Sequence, residues 1–317
     1  VQEYHVPGCW PQPDETSLAA LADVLEAIPD DAVVLLDGLI GSPAAEVLVP
    51  QARRLRLVVL VHMSLGHRPA QDRADKVRMR ERAVLSAAAT VVTTSGWGRW
   101  RLLELYRLPP DRVQVAEPGV DASEPASGTA GGGALLCVAA VTYDKGHDVL
   151  LDALETVLDV PWRCACVGSL DRDPAFAEDL RRRVVDGGLG QRVRFPGPRT
   201  GPELDRIYEA ADLLVLASRA ETYGMVVTEG LARCLPVVAA DVGGLADALG
   251  HGADGIRPGL LVPPEDPAAL GAALRAWLGD AELRRRLRRA AHQRRQSLPG
   301  WSTTASVLAG VLTAVGR

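Results

Sequence analysis

Lysine is almost missing from this chain: of 35 basic residues only Lys76 and Lys145 are lysine, and the rest are arginine. Where arginine is favoured so strongly, either surviving lysine is a candidate for a specific role. Positive charge is not in excess either. With 40 acidic residues the formal net charge is −5 and the pI about 5.7. That balance gives no global attraction to polyanions and argues against nucleic acid as the main partner. No segment offers the roughly 18 consecutive apolar residues of a membrane span. The five cysteines (Cys9, Cys137, Cys164, Cys166, Cys234) are odd in number and scattered. They read as reduced core residues of a cytosolic protein rather than a disulfide framework. Cys164-Ala165-Cys166 has the wrong spacing for a zinc knuckle or a redox pair. The opening residues do not read as a signal peptide, and none is expected.

What is present suits a globular protein. The 317 residues, 47% apolar and 24% charged, are enough for two domains. Strand-length apolar runs at 32–37, 56–62, 90–94 and 113–117 alternate with helical stretches at 17–28, 73–88 and 96–107. This alternation predicts a parallel sheet covered on both faces. Residues 122–133 are rich in Ser, Gly, Ala and Thr and end in three glycines, the composition of a flexible interdomain linker. The pattern then restarts. Strands are expected at 135–140, 163–167, 193–195, 213–217 and 236–240, with helices at 146–158, 174–186, 202–210 and 224–233 between them. The tail (267–278, 281–297, 302–315) reads as helical, and its last helix is placed to cross back to the first domain. Because the first unit has so few strands, its opening strand and glycine-rich turn are expected to be absent from this chain.

The most informative stretch is Ser218-Arg219-Ala220-Glu221-Thr222-Tyr223-Gly224-Met225-Val226-Val227-Thr228-Glu229-Gly230. A strand ends at Ala217, a loop carries Glu221, and Gly224 permits close backbone approach. A helix then begins whose second turn carries Glu229. Its first turn leaves the N–H groups of Met225 and Val226 unpaired beside the positive end of the helix dipole, an arrangement that binds phosphate. A loop carboxylate can hydrogen-bond sugar hydroxyls, and one on the second turn can clasp a ribose diol. Spacing alone is weak evidence, since sixteen glutamates make about one Glu-x7-Glu pair a chance expectation. The plain alternative is a solvated carboxylate on each element. The position at the carboxyl end of a sheet, where open α/β folds bind ligands, favours the functional reading.

The stretch continues through Cys234-Leu235-Pro236-Val237-Val238 to Gly243-Gly244. In combination these residues resemble the carboxyl-terminal half of the retaining group-1 glycosyltransferases, family 4, of two-Rossmann-domain (GT-B) architecture. The family usually has a glutamate shortly after Gly-Gly, where this chain has Asp247. Thr94-Ser95, Val113-Gln114-Val115 and Pro118-Gly119-Val120-Asp121 resemble the close of the family's first domain. Leu135 to Val141 with Thr142-Tyr143-Asp144-Lys145-Gly146-His147 resembles the opening of its second.

The resemblance implies roles. Lys145 becomes the charge partner of a donor diphosphate. The family's strand-end arginine is replaced by Ala140, so Arg219 and Arg199 are candidates to supply that contact. Pro198-Arg199 lies where the base packs, and Thr222, Gly224, Met225 and Val226 complete the donor site with Glu229. His62, at a strand end, matches the family's histidine beside the donor sugar, where it can help stabilise developing oxocarbenium charge. Taken alone, a strand-end histidine is a structural residue. His62 and His67 lack a third ligand by spacing, so no metal site is expected.

Other signals are weak. Asp171-Arg172-Asp173 superficially matches the Asp-x-Asp metal motif of the other large glycosyltransferase architecture, but it precedes Pro174 and is better explained by helix capping. Gly187-Gly188-Leu189-Gly190 follows a helix and reads as a C-cap turn. The basic stretch from Arg73 to Arg82 reads as a solvated helix face, with an anionic acceptor or peripheral membrane contact left open.

The expectation is therefore an α/β chain of two Rossmann-like domains facing across a cleft. They comprise an acceptor-side domain (1–121), a linker (122–133), a nucleotide-sugar-binding domain (134–300) and a terminal helix (301–317). Its expected activity is retaining transfer of a sugar from a nucleotide diphosphate donor to an unknown acceptor (small molecule, glycan or lipid head group). His62 and Glu221 are the expected catalytic residues, with no metal and no cofactor beyond the donor. The rivals are a sugar-nucleotide epimerase of the same architecture and a non-catalytic nucleotide-sugar-binding protein.

Overall fold

The computed structural model describes residues 1–67 and 74–317. The chain divides into two compact units, Val1–Pro118 with Ser302–Arg317, and Gly119–Trp301. In the first, α1 (Glu15–Glu26) starts at Asp14, whose carboxylate accepts from the Ser17 N–H at 2.8 Å. Then follow β1 (Val33–Asp37), the single turn α2 (Gly38–Gly41), α3 (Ala45–Gln51), β2 (Arg56–Val61), α4 (Ala74–Ala87), β3 (Thr90–Thr93), α5 (Gly96–Tyr106) and β4 (Val113–Val115). The sheet is wholly parallel in the order β1-β2-β3-β4. The expected helix at 73–88 begins at Ala74; Arg73 lies outside the described residues, as does the His67 side chain.

The second unit contains β5 (Ala134–Val138), α6 (His147–Glu155), β6 (Arg163–Val167), α7 (Pro174–Asp186), β7 (Val193–Gly197), α8 (Gly201–Glu209), β8 (Leu213–Leu216), α9 (Met225–Ala232), β9 (Val237–Ala240), α10 (Leu245–Leu249), β10 (Gly259–Val262), α11 (Pro267–Gly279) and α12 (Ala281–Arg295). Its six parallel strands run β10-β9-β8-β5-β6-β7. The short strand β10 and helix α10, which the sequence pattern did not single out, complete the β9 edge.

The last helix, α13 (Trp301–Val315), packs on the first unit's sheet. Strand alternation explains how: Leu57, Val59 and Val61 enter the core under α1 and α3, while Val58, with Val92 and Ala116, meets Leu308, Val311 and Leu312 of α13. Both faces of β2 are thus buried, and its sequence is apolar throughout.

The segment 122–133 is not a flexible linker. Asp212, a fully buried carboxylate at the start of β8, accepts hydrogen bonds from the backbone N–H groups of Thr129 (2.8 Å) and Ala134 (2.9 Å), and Arg288 lies 2.7 Å away. Ala126 and Gly128 donate to the carbonyls of Arg233 and Glu209. Small residues here supply bare backbone donors to a buried charge that needs them, so a composition associated with flexibility serves as a fixed strap.

Candidate functional site

Chain order in the second sheet reverses between β5 and β8: from β5 it proceeds outward through β6 and β7, then returns to β8 on the other side. At such a switch point the loops leaving two adjacent strands diverge, opening a crevice at their carboxyl ends. Lys145 lies on the loop after β5 and Glu221 on the loop after β8. The Lys145 Nζ donates to Glu221 Oε1 at 2.5 Å, and the Ser218 hydroxyl reaches the same oxygen at 3.3 Å. Both charged side chains keep some access to solvent, 28% and 18% respectively.

Glycines allow these loops to meet. Gly146 (φ +65°) lies so close to β8 that a Cβ there would sit 2.0 Å from the Ala217 carbonyl oxygen. Gly168, after β6, leaves only 1.9 Å to the Ala139 carbonyl oxygen. The Gly243-Gly244 pair backs the Glu221 loop. A Cβ on Gly243 (φ +57°) would stand 1.5 Å from the Glu221 carbonyl oxygen, and one on Gly244 would stand 2.4 Å from that of Thr222. The motif's glycines are therefore packing requirements of the carboxylate-bearing loop.

Gly224 (φ +92°) begins α9 with no side-chain cap, which leaves the first-turn N–H groups of Met225 and Val226 available to an anion. Met225 is exposed. On the next turn Glu229 Oε2 accepts from the Tyr208 hydroxyl at 3.0 Å. Tyr208 is fully buried, with the Arg233 guanidinium 4.4 Å above its ring, and Arg233 is itself paired with Asp205 at 2.5 Å. Burial and the adjacent Glu229 carboxylate push the Tyr208 hydroxyl well above its ordinary pKa, so it remains a donor. Tyr208 comes from α8, so sequence spacing gives no sign that it adjoins Glu229.

Two candidate cations are engaged elsewhere. Arg219 grips Asp148 with both terminal nitrogens (2.9 and 2.8 Å), Glu265 with Nε (3.0 Å) and the Tyr143 carbonyl (2.7 Å), and stacks 3.9 Å over the Tyr143 ring. Burial raises the Asp148 carboxyl, yet Arg219 holds it below the ordinary range. Arg219 thus ties the Lys145 loop to the start of α6. Arg199 donates to the Pro198 carbonyl at 2.8 Å and lies 3.5 Å from Glu203.

In the first unit, His62 directly follows β2 and is about half exposed. Its Nε2 lies 3.6 Å from Asp37 Oδ2, at the end of the neighbouring strand β1. Asp37 uses its other oxygen to cap α2, accepting from the Leu39 N–H at 2.7 Å. The sequence pattern did not single out Asp37, since strand ends 25 residues apart become neighbours only through the sheet register.

Asp173 caps α7, accepting from the Phe176 N–H at 3.3 Å with Pro174 in the first turn, and Gly187 is that helix's C-cap. Among the described residues no group of three or more His, Cys, Asp or Glu is placed to hold a metal ion, and no helix is long and apolar enough to cross a membrane. Cys137, Cys164, Cys166 and Cys234 are buried free thiols, and Cys9 is exposed.

Comparison with known proteins agrees with this architecture. Residues 128–294 match the family described as glycosyl transferases group 1, and residues 33–124 match glycosyltransferase family 4. A D-inositol 3-phosphate glycosyltransferase of Jonesia denitrificans is 34% identical over 251 residues, 73% of this chain and 58% of the relative. One from Pseudarthrobacter chlorophenolicus is 30% identical over 86% of this chain and 67% of its own length. The chain therefore spans about three fifths of the length of several curated relatives. Among solved structures, sucrose-phosphate synthase from Thermosynechococcus elongatus superposes with a TM-score of 0.77 at 24% identity, covering 96% of this chain and 80% of that one. Anabaena HepE in complex with UDP-glucose gives 0.77 at 19% identity over 94% and 82%. Two parallel α/β units, the charged pair at the second sheet's switch point and the match over more than half the residues place this chain in the group-1 glycosyltransferase family, with the GT-B fold.

Proposed function

We propose that this chain transfers a sugar from a nucleoside diphosphate donor with retention of anomeric configuration. The observation that carries the reading is the Lys145–Glu221 contact at the switch point, adjoining the uncapped N-terminus of α9. In this reading Lys145 and the N–H groups of Met225 and Val226 take the diphosphate, Glu229 the ribose, Glu221 the sugar hydroxyls, and Pro198-Arg199 borders the base. Donor arrival exchanges the Lys145–Glu221 contact for two: the ammonium turns to phosphate, and the carboxylate to hydroxyls. Attack on the face from which the leaving phosphate departs follows from the family resemblance. His62 supports the developing positive charge on the sugar. Diphosphate charge is neutralised by Lys145 and a helix end, so no divalent metal is required. The names of the relatives make a phosphorylated cyclic polyol the first acceptor to try.

A thermal-shift screen of nucleotide sugars identifies the donor. With it in hand, Glu221→Gln is expected to lower turnover more than it weakens bare nucleoside diphosphate, whereas Glu229→Gln weakens both. NMR of the first-formed product should show the donor's anomeric configuration, and turnover should survive EDTA. An inverted anomer would sink the retaining assignment; equal binding losses in the two variants would overturn the division of roles. Donor changed at the sugar without any acceptor would indicate an epimerase. Binding without transfer or hydrolysis would indicate a non-catalytic protein, a reading favoured by Ala140 and the engaged Arg219.

A further inference from the structure

The first unit contains a carboxylate that the reaction scheme does not use. Glu81, on α4, is fully buried. It accepts from the hydroxyls of Ser42 (3.0 Å) and Ser64 (2.8 Å), from the N–H groups of Leu65 (3.0 Å) and Gly66 (2.8 Å), and from the Tyr106 hydroxyl. A buried carboxylate is tolerated only where its oxygens are satisfied, and here five donors satisfy them. The Arg78 guanidinium closes the same loop from outside by donating to the Gly66 carbonyl at 3.0 Å.

The origin of those donors gives the cluster its meaning. Ser42 is the C-cap of α2, the turn that Asp37 starts. Ser64, Leu65 and Gly66 follow His62 with only Met63 between. Asp37 and His62 stand 3.6 Å apart at adjacent strand ends, and each leads within five residues into a segment that ends on the same carboxylate. Packing there is tight: a Cβ on Gly66 would sit 2.2 Å from the Tyr106 hydroxyl oxygen and 3.4 Å from Glu81 Oε2. Tyr106, itself buried, stays protonated because burial and the Glu81 charge raise its pKa.

We propose that Glu81 is a positioning residue that sets Asp37 against His62 at the carboxyl edge of the first sheet. Its importance for catalysis rests on the reading that this edge serves sugar transfer. Glu81 touches no substrate; it acts through the two loops it ties together. Glutamine at 81 would keep the shape but turn one acceptor into an NH₂ donor facing hydroxyl and N–H donors. One loop must then move away.

The test needs no substrate. The His62 ring Cε1–H resonance is measured in wild type, Asp37→Asn, Glu81→Gln and the double variant, with amide exchange at Leu65 and Gly66 and the thermal midpoint. In the wild-type background Asp37→Asn is expected to shift the His62 resonance. In the Glu81→Gln background that shift should largely vanish, with Leu65 and Gly66 exchanging at least about ten-fold faster. Should Glu81→Gln fail to fold, Tyr106→Phe, which keeps the carboxylate and deletes one donor, should show a partial loss of the same coupling. An Asp37→Asn shift of equal size in every background overturns the proposal even if stability falls, because loss of stability alone would leave the coupling intact. Titration of the same samples with UDP, ADP and GDP keeps the two ideas separate. Failure of wild type to bind any nucleoside diphosphate would count against the proposed function and leave the coupling measurable; Glu81→Gln should leave binding to the second unit unchanged.

Discussion

The two units hold their candidate site residues by opposite means. In the second, Lys145 and Glu221 come from loops that touch through glycines, and the two charges pair where solvent still reaches them. In the first, the strand-end pair Asp37–His62 is looser and more exposed, and its order comes from a single dry carboxylate surrounded by neutral donors. A partly solvated ion pair yields readily to a competing anion, because water already screens part of its attraction. A buried carboxylate with five hydrogen bonds does not yield, since each lost donor exposes the full desolvation cost. One arrangement suits a site whose charges are re-partnered by ligand, and the other suits a fixed scaffold.

The sharpest way to break this comparison is to fill the glycine contacts of the second unit. Gly243→Ala places a methyl group 1.5 Å from the Glu221 carbonyl oxygen on a backbone at φ +57°. It is expected to cost roughly 3 kcal/mol or more of stability, as overpacking and backbone strain combine. Affinity for the selected nucleoside diphosphate should fall with it as the Glu221 loop is displaced. Gly131→Ala, with nothing within 4 Å of the added Cβ, should stay within about 0.5 kcal/mol of wild type. Equal denaturation midpoints for the two variants would show that the Gly-Gly pair does not support the loop.

Next in size is Lys145→Ala, expected to weaken binding of whichever nucleoside diphosphate the screen selects by roughly 1.5–3 kcal/mol, the range for a charge-assisted contact. His62→Ala should leave the same titration unchanged, because the first unit is not assigned the diphosphate. Calorimetry that finds Lys145→Ala silent would remove it from the site; a matching loss in His62→Ala would erase the contrast between the units.

How much of this was legible in the sequence follows from the same contrast. Lys145-Gly146 and Glu221-x7-Glu229 are short-range patterns on strand-to-helix turns, so both the elements and their placement at strand ends could be read locally. The sequence offered no such signal for Asp37, Glu81 or Tyr208. Each acquires its partners through parallel register or packing across 15 to 39 residues. Composition misled at 122–133, where glycine and threonine serve a buried Asp212 rather than flexibility. For Arg219 the sequence shows an arginine beside a phosphate-type turn, while its partners Asp148 and Glu265 stand 71 and 46 residues away and are visible only in the fold.

The smallest expected effect tests whether the second unit also relies on a buried support. Tyr208→Phe keeps the packed ring and the Arg233 stacking, and removes only the hydroxyl that donates to Glu229 at 3.0 Å. The lost hydrogen bond is worth about 1 kcal/mol, so the selected nucleoside diphosphate should bind roughly five-fold more weakly while stability changes little. The sign of the pH dependence is fixed by the shift at Tyr208. Its pKa is raised, so the hydroxyl is neutral and donating throughout the range from about pH 6 to 9 in which affinity can be measured. The gap between wild type and Tyr208→Phe should therefore be flat across that range. A gap that closed toward the alkaline end would mean that the tyrosine ionises there and that burial does not hold it neutral. Unchanged nucleotide affinity, with the Glu229→Gln loss intact, would show that Glu229 reaches the ribose without this support, and the contrast in how the two units hold their candidate side chains would be the sharper for it.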